Sequence, residues 1–462
     1  MTVHLILDEQ SVARFDGVTF HLNPAEKHPE NPVLLPGAPH QWDSLQVAWP
    51  GTVLYDAEAG LFRCWYSGLD AVQTPERWWR PGHAESADGI HWTKPALGQV
   101  TYLDHPTNQL RLDWDNLNMS CVFLNPAADA PPSRRFGALF SEWAPDVGPG
   151  WARKGLAWSP DGLAWTRAGG AYLAGVPGNP PETAYQDINQ LVFCHDAEDP
   201  DHRVVGFGQY YTPRWDGKLV RNIGRVHGPA VAHLRNADPI LALAPAEGID
   251  EELHFASVTR IGKSWLMLFE SDRFSREPIH GDLRLAVSED GATFRRVHPH
   301  QPLVSTGTKG MWDENLLVTT TSAIQEVGDM LYLFYFGCPN VYTAWPAAYA
   351  VSADRRGAMF YPSYLGVAVL PRDRFAYAEG PGHLTSLPLA MREDGLWLNA
   401  DGEGIAVTAI GTDGAVLATG HLTDERLRTV YRKVRWMTAP PTELCLLQVH
   451  LGDGERLYSL SC

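Results

Sequence analysis

Carboxylates stand just ahead of five strand-like runs: Asp43 in QWDS, Asp115 in DWDN, Asp187 in YQDINQ, Glu251 and Glu252 before His254, and Asp313 with Glu314 in MWDEN. Two more, Glu142 and Glu270, close runs that follow. Paired carboxyl groups flanking a bond can divide the work of a general acid and a base or nucleophile, as cleavage of an acetal demands. A separation of about 5 Å suits a covalent intermediate, and roughly 6.5 to 9.5 Å leaves room for a water. Crowding and burial raise the pKa of one member, as an acid requires. The catalytic candidates are Asp187, Asp313, Glu270 and Asp43. Asp187 is read as base or nucleophile, and the acid is left open between Glu270 and Asp313. Trp42 and Trp312 are candidate stacking platforms, and Arg273, His254, Asn189 and Asn116 candidate polar contacts to a substrate.

Other chemistries lack their motifs. No Gly-rich phosphate loop, G-x-S-x-G or H-E-x-x-H occurs. Cys64, Cys121, Cys194, Cys338, Cys445 and Cys462 include no C-x-x-C pair, and the first four lie inside apolar runs, so buried thiols are expected rather than a zinc site. No cofactor is expected; calcium stays open, because clustered carboxylates suit hard cations.

The elements that must position these groups are strands. Short β-branched and aromatic runs alternate with Gly, Asp, Asn and Pro turns, and long helical periodicity is missing. One unit recurs five times: GTVLYDAEAGLFRCWYSG (51–68), SCVFLNPAADAPPSRRFGALFSE (120–142), NQLVFCHDAEDPDHRVVGFGQ (189–209), FASVTRIGKSWLMLFES (255–271) and TSAIQEVGDMLYLFYFG (321–337). Its markers Tyr66, Phe140, Phe207, Phe269 and Tyr335 are 74, 67, 62 and 66 residues apart. A Ser-x-Asp-Gly turn repeats at Ser86, Ser159 and Ser288, with a degenerate copy at Ser352. Asp-Gly supplies the positive φ of a tight hairpin, so Asp88, Asp161 and Asp290 are assigned to the fold. Five units of roughly 65 residues predict a five-bladed β-propeller. Beyond about residue 375 the pattern shifts to alternating strands with Asp-Gly turns, which predicts a C-terminal β-sandwich. The expected division is a lead-in over 1–39 packing on the propeller, the propeller over 40–375, and the sandwich over 376–462.

The chain of 462 residues carries a net charge of −17, with 17 Trp, 16 Tyr and 16 Phe. That charge disfavours nucleic acid and anionic membrane surfaces, which need Lys and Arg. A neutral, ring-shaped partner such as a sugar fits. MTVHLILDEQ lacks the basic and apolar regions of a signal peptide, and no run approaches 18 apolar residues, so a cytoplasmic protein is expected.

The five-unit order followed by a sandwich resembles the clan of five-bladed glycoside hydrolases, families 32 and 43 in particular. LILDEQSVARFDGVTFHLNPAEKHPENPVL (5–34), GTVLYD, SADGIHWTKPALG (86–98), RNIGR (221–225), DRF (272–274) and RLYSL (456–460) resemble a bacterial group labelled as related to family 32. The resemblance implies a glycoside hydrolase acting on a furanoside or related glycan. It departs where the clan carries Asp-Pro in the first blade, because Trp49-Pro50 stands there, and in the second blade, where Asn116 replaces Asp. The other readings are a non-catalytic carbohydrate-binding propeller, a sialidase-like enzyme and a glycoside phosphorylase.

Overall fold

The structure, a computed structural model, describes residues 2–70, 80–114, 118–143, 152–172, 188–273, 280–339, 362–391, 395–439 and 444–462. Strands make up 58% of it. Among the described residues the only helices are four 3-10 turns of three residues each.

Ladders of the same up-and-down order recur along the chain. Gln46–Asp56 pairs with Leu61–Leu69, then Arg80–Ser86 and Trp92–Thr93. Asn118–Leu124, Phe136–Trp143, Ala152–Ser159 and Thr166–Tyr172 follow suit. So do Ile188–Phe193, Val204–Pro213, Leu219–Gly228 and Arg235–Leu243. The next ladder runs through Glu251–Ile261, Ser264–Arg273, His280–Ser288 and Arg295–Arg296. The last runs through Leu316–Val327, Met330–Cys338 and Tyr364–Pro371, and takes Glu26–Lys27 from the start of the chain as its fourth strand. These curled sheets are consistent with a propeller.

The first strands of the ladders are stitched together through small polar side chains. Thr321 Oγ1 donates to the carbonyls of Ser120 and Asn189, Asn189 Nδ2 donates to Ala256 O, and Val122 N donates to Thr52 Oγ1. Short side chains let backbones approach while these donors find partners. Apolar residues fill the gaps between ladders. Phe207, Met267 and Phe269 are fully buried between the third and fourth, and each large side chain so buried contributes about 1.5–3 kcal/mol.

The Ser-x-Asp-Gly turns fold alike. Ser86, Ser159 and Ser288 each accept from the amide of Gly89, Gly162 and Gly291 in turn, with glycine φ of 78°, 78° and 71°. Only glycine takes that conformation without strain. The degenerate copy at Ser352 lies outside the described residues.

A second large sheet holds the C-terminal strands from Ala376–Glu379 to Arg456–Ser461 around its own apolar core. Val3–Leu5, Val12–Asp16 and Thr19–Leu22 also belong to it. The lead-in therefore pairs with the C-terminal sheet as well as with the last ladder. These strands hydrogen-bond to sheet edges that would otherwise be open.

Candidate active site

Glu270 and Asp272 end the strand Ser264–Arg273, two residues apart, and so project from the same face. Ser271, between them, points the other way and donates to the Glu251 carboxylate. Across the ladder, Leu253 faces Ser271 and Ala256 faces Phe269. Two residues, His254 and Phe255, thus oppose Glu270 alone. This bulge re-aims the backbone. His254 Nδ1 lies 3.6 Å from Glu270 Oε1 and 3.8 Å from Asp272 Oδ2. Glu252 sits directly opposite Asp272 in the pairing. Arg221 reaches in from the neighbouring ladder and donates to Glu252 Oε2 at 3.0 Å.

The group is nearly dry. Glu270 is 0% exposed, His254 5% and Asp272 6%. Among the described residues, neither Glu270 oxygen nor Asp272 Oδ1 makes a hydrogen bond of good geometry. Burial, reinforced by the Asp272 carboxylate, pushes Glu270 well above the usual carboxylate range. Burial also pushes Asp272 up to about 7, with Glu252 and Asp282 adding to the rise and Arg221 opposing it. Burial, aided by the Arg221 charge, holds His254 well below the ordinary imidazole value, so it is neutral at pH 7. Burial raises Glu252 as well, against the pull of Arg221. Two carboxyls in a low-dielectric pocket cannot both ionise, so the pair retains a proton at neutral pH.

The ligand atoms of His254, Glu270 and Asp272 lie within 4.8 Å of one another, so these three side chains could also surround a cation. The cluster joins two strands, so sequence spacing sets Glu270 beside Asp272 and only the strand pairing adds His254.

The structure places the predicted residues in different settings. Glu270 and His254 meet in the cluster, and Arg273 sits half-buried at the end of the same strand. Asp187 and Asn116 lie outside the described residues. Asp43 is 1% exposed and is held by Lys94 Nζ at 2.5 Å and the Tyr66 hydroxyl at 2.6 Å. Asp313, also 1% exposed, is held by Lys27 Nζ at 2.5 Å and the Tyr335 hydroxyl at 3.2 Å. Trp42 stacks on Tyr66 at 5.8 Å, and Trp312 on Tyr335 at 5.7 Å.

The two settings are copies of one clamp, in which a buried carboxylate binds an ammonium and a phenol beneath a stacked indole. Trp42 is 1% exposed and donates to Asn108, which leaves no ring face for a sugar. Its stacking assignment is corrected on that ground. Asn189 is likewise 2% exposed, with its Nδ2 donating to Ala256 O. A pocket of about 220 Å³, lined by His40, Asp43, Lys94, Tyr102 and His105 among others, adjoins the first clamp.

Sequence reasoning missed Asp272 and the part played by Arg221. The signal was legible: in LMLFESDRF, two acids at alternate positions close an otherwise apolar strand, and period-two alternation puts them on one face.

No family profile matches the chain, and no curated protein matches it. Solved structures do. A glycoside hydrolase is similar at 13% identity over 76% of this chain and 94% of its own, with a TM-score of 0.49. A glycosyl hydrolase from Bacteroides ovatus is similar at 14% identity over 77% of this chain and 95% of its own, with a TM-score of 0.45. A fructofuranosidase from Schwanniomyces occidentalis, complexed with fructosylnystose, is similar at 12% identity over 95% of this chain and 98% of its own, with a TM-score of 0.40. By their descriptions these three neighbours are glycoside-cleaving enzymes.

Proposed function

We propose that the chain is a five-bladed β-propeller glycoside hydrolase with a C-terminal β-sandwich, acting on a furanoside or related glycan. The buried Glu270–Asp272 pair carries this reading. A carboxyl group that keeps its proton near pH 7 is what protonation of a departing glycosidic oxygen requires. Asp272 is the more exposed of the two and is the proposed acid, with Glu270 tuning its proton. Glu252, held by Arg221 across the ladder, is the proposed charged partner on the described residues. Asp187, just ahead of Ile188–Phe193, keeps its proposed role as base or nucleophile. Asp43, Asp313, Trp42 and Trp312 are proposed to hold the fold.

The reading is tested with a panel of aryl furanosides and pyranosides, plus oligosaccharides with and without phosphate. Release of sugar by the wild type, lost in Asp272→Asn, supports it. Turnover retained in that variant sinks the assignment of the acid.

One observation favours a second reading, a propeller that binds carbohydrate without cleaving it. In the first ladder Trp49-Pro50 replaces the clan's carboxylate, and Asp43 is bound in a clamp. Saccharide binding without turnover of any panel member would establish it.

All six cysteines are buried thiols, which supports the proposed cytoplasmic location. Among the described residues no helix is long and apolar enough to cross a membrane.

A further inference from the structure

The hairpin joining Val204–Pro213 to Leu219–Gly228 carries Trp215, an indole 51% exposed. Exposed tryptophan on a turn ordinarily moves, yet this one is fixed from several sides. Its Nε1 donates to Ile249 O at 3.3 Å, in the loop that leads into Glu251. The Arg214 guanidinium lies over the ring, 5.6 Å from its centroid. Arg214 is itself immobilised: its side chain is 3% exposed, Nε and Nη2 bind the two Asp216 oxygens at 2.7 Å each, and Nη1 lies 2.5 Å from Asp250. Nη1 also donates to Glu251 O at 3.4 Å. The chain of contacts therefore runs from Trp215 through Arg214 to the start of the strand that bears Glu252 and His254.

Held in this way, Trp215 still leaves about half of its surface in water. The held indole offers a flat apolar face, with Arg214 and the Asp216 and Asp250 carboxylates bound to it as the polar groups nearby. That combination matches the C–H face and equatorial hydroxyls of a sugar ring.

We infer that Trp215 is a stacking platform for a sugar residue outside the one that reacts, so that the substrate is an oligosaccharide rather than a simple glycoside. This rests on the reading of the carboxylate cluster as a glycan-cleaving site. Its position on the adjoining hairpin, held to the strand that bears Glu252, fits a unit one or more residues along the chain from the cleaved bond.

The test compares wild type, Trp215→Ala and Trp215→Phe on neutral di- to pentasaccharides and on the matching aryl monosaccharides. Kinetics are paired with calorimetric binding to Asp272→Asn chains, with and without the Trp215 change. The expected result is a KM for oligosaccharides raised about tenfold in Trp215→Ala, with kcat within about twofold, little change on aryl monosaccharides, and most of the loss recovered by Trp215→Phe. Equal oligosaccharide affinity in Trp215→Ala overturns the platform and leaves the cluster's role standing. Failure of the wild type to bind any saccharide overturns both.

Discussion

His254 Nδ1 lies 3.6 Å from Glu270 Oε1, across a ladder that slips by one residue at that point. Counted from the Glu252–Asp272 pair, alternation already sets His254 on the face of Glu270 and Asp272, and the bulge adds Phe255 opposite Glu270. The same one-residue slip recurs in two other first-to-second strand pairs, between Met119 and Cys121 and between Ile188 and Gln190. The cluster thus sits at a feature that the repeat already contains.

Asp272→Asn should abolish most turnover while making the protein more stable at neutral pH. Loss of a general acid reduces rate by about 10²-fold or more. Removing a buried, poorly satisfied carboxyl relieves a desolvation penalty of about 1–3 kcal/mol. Turnover and urea midpoint measured on one preparation check both. A fall in both would mark Asp272 as structural.

Activity should decline as pH rises through about 7, because the acid must carry its proton. Stability moves in the same direction for a separate reason. The unfolded Asp272 titrates near 3.8 and the folded one near 7. Below about 4 both states hold the proton, and from there to about 7 only the native state does. That contribution to stability therefore falls across the window and levels off above it. A kcat/KM profile and denaturation at several pH values, each compared with Asp272→Asn, isolate the two effects.

Lys94→Met and Lys27→Met should destabilise strongly, by about 3–5 kcal/mol each, because each leaves a buried aspartate without its counter-ion. Asp43→Asn and Asp313→Asn should lower stability far less and leave turnover within a few fold. Loss of turnover at unchanged melting temperature in either Asn variant would return that aspartate to the catalytic set.

Gly82→Ala should be poorly tolerated, since a Cβ there would stand 2.7 Å from Trp42 Cη2 and 2.7 Å from the Tyr66 ring. Gly366→Ala meets the same obstacle in the other clamp, where Trp312 and Tyr335 occupy the space. Overpacking of this kind costs about 1–3 kcal/mol. A melting temperature equal to wild type would show that the indoles can shift.

Chelation separates the proton-sharing reading from a cation held by His254, Glu270 and Asp272. Exhaustive treatment with EDTA should leave both turnover and melting temperature unchanged. A drop restored by a single divalent ion would assign the cluster to that ion.

By itself the sequence determined the all-β class, the recurrence of the strand unit and the Ser-x-Asp-Gly turns, because each is written in local pattern. Alternation of side chains, Asp-Gly pairs and the 62- to 74-residue spacing need no distant contact to be read. Glu270 and His254 could be named as candidates because they flank apolar strand runs. Tertiary structure alone decided which acids are solvated, clamped or left sharing a proton. Asp43 and Asp313 look like Glu270 in sequence, yet Lys94 and Lys27 arrive from remote segments to neutralise them. Glu270 and Asp272 feel the charge of Arg221, which opposes the rise from burial without cancelling it. A carboxyl group's role depends on its solvation and its counter-ions, and both are set by residues far away along the chain.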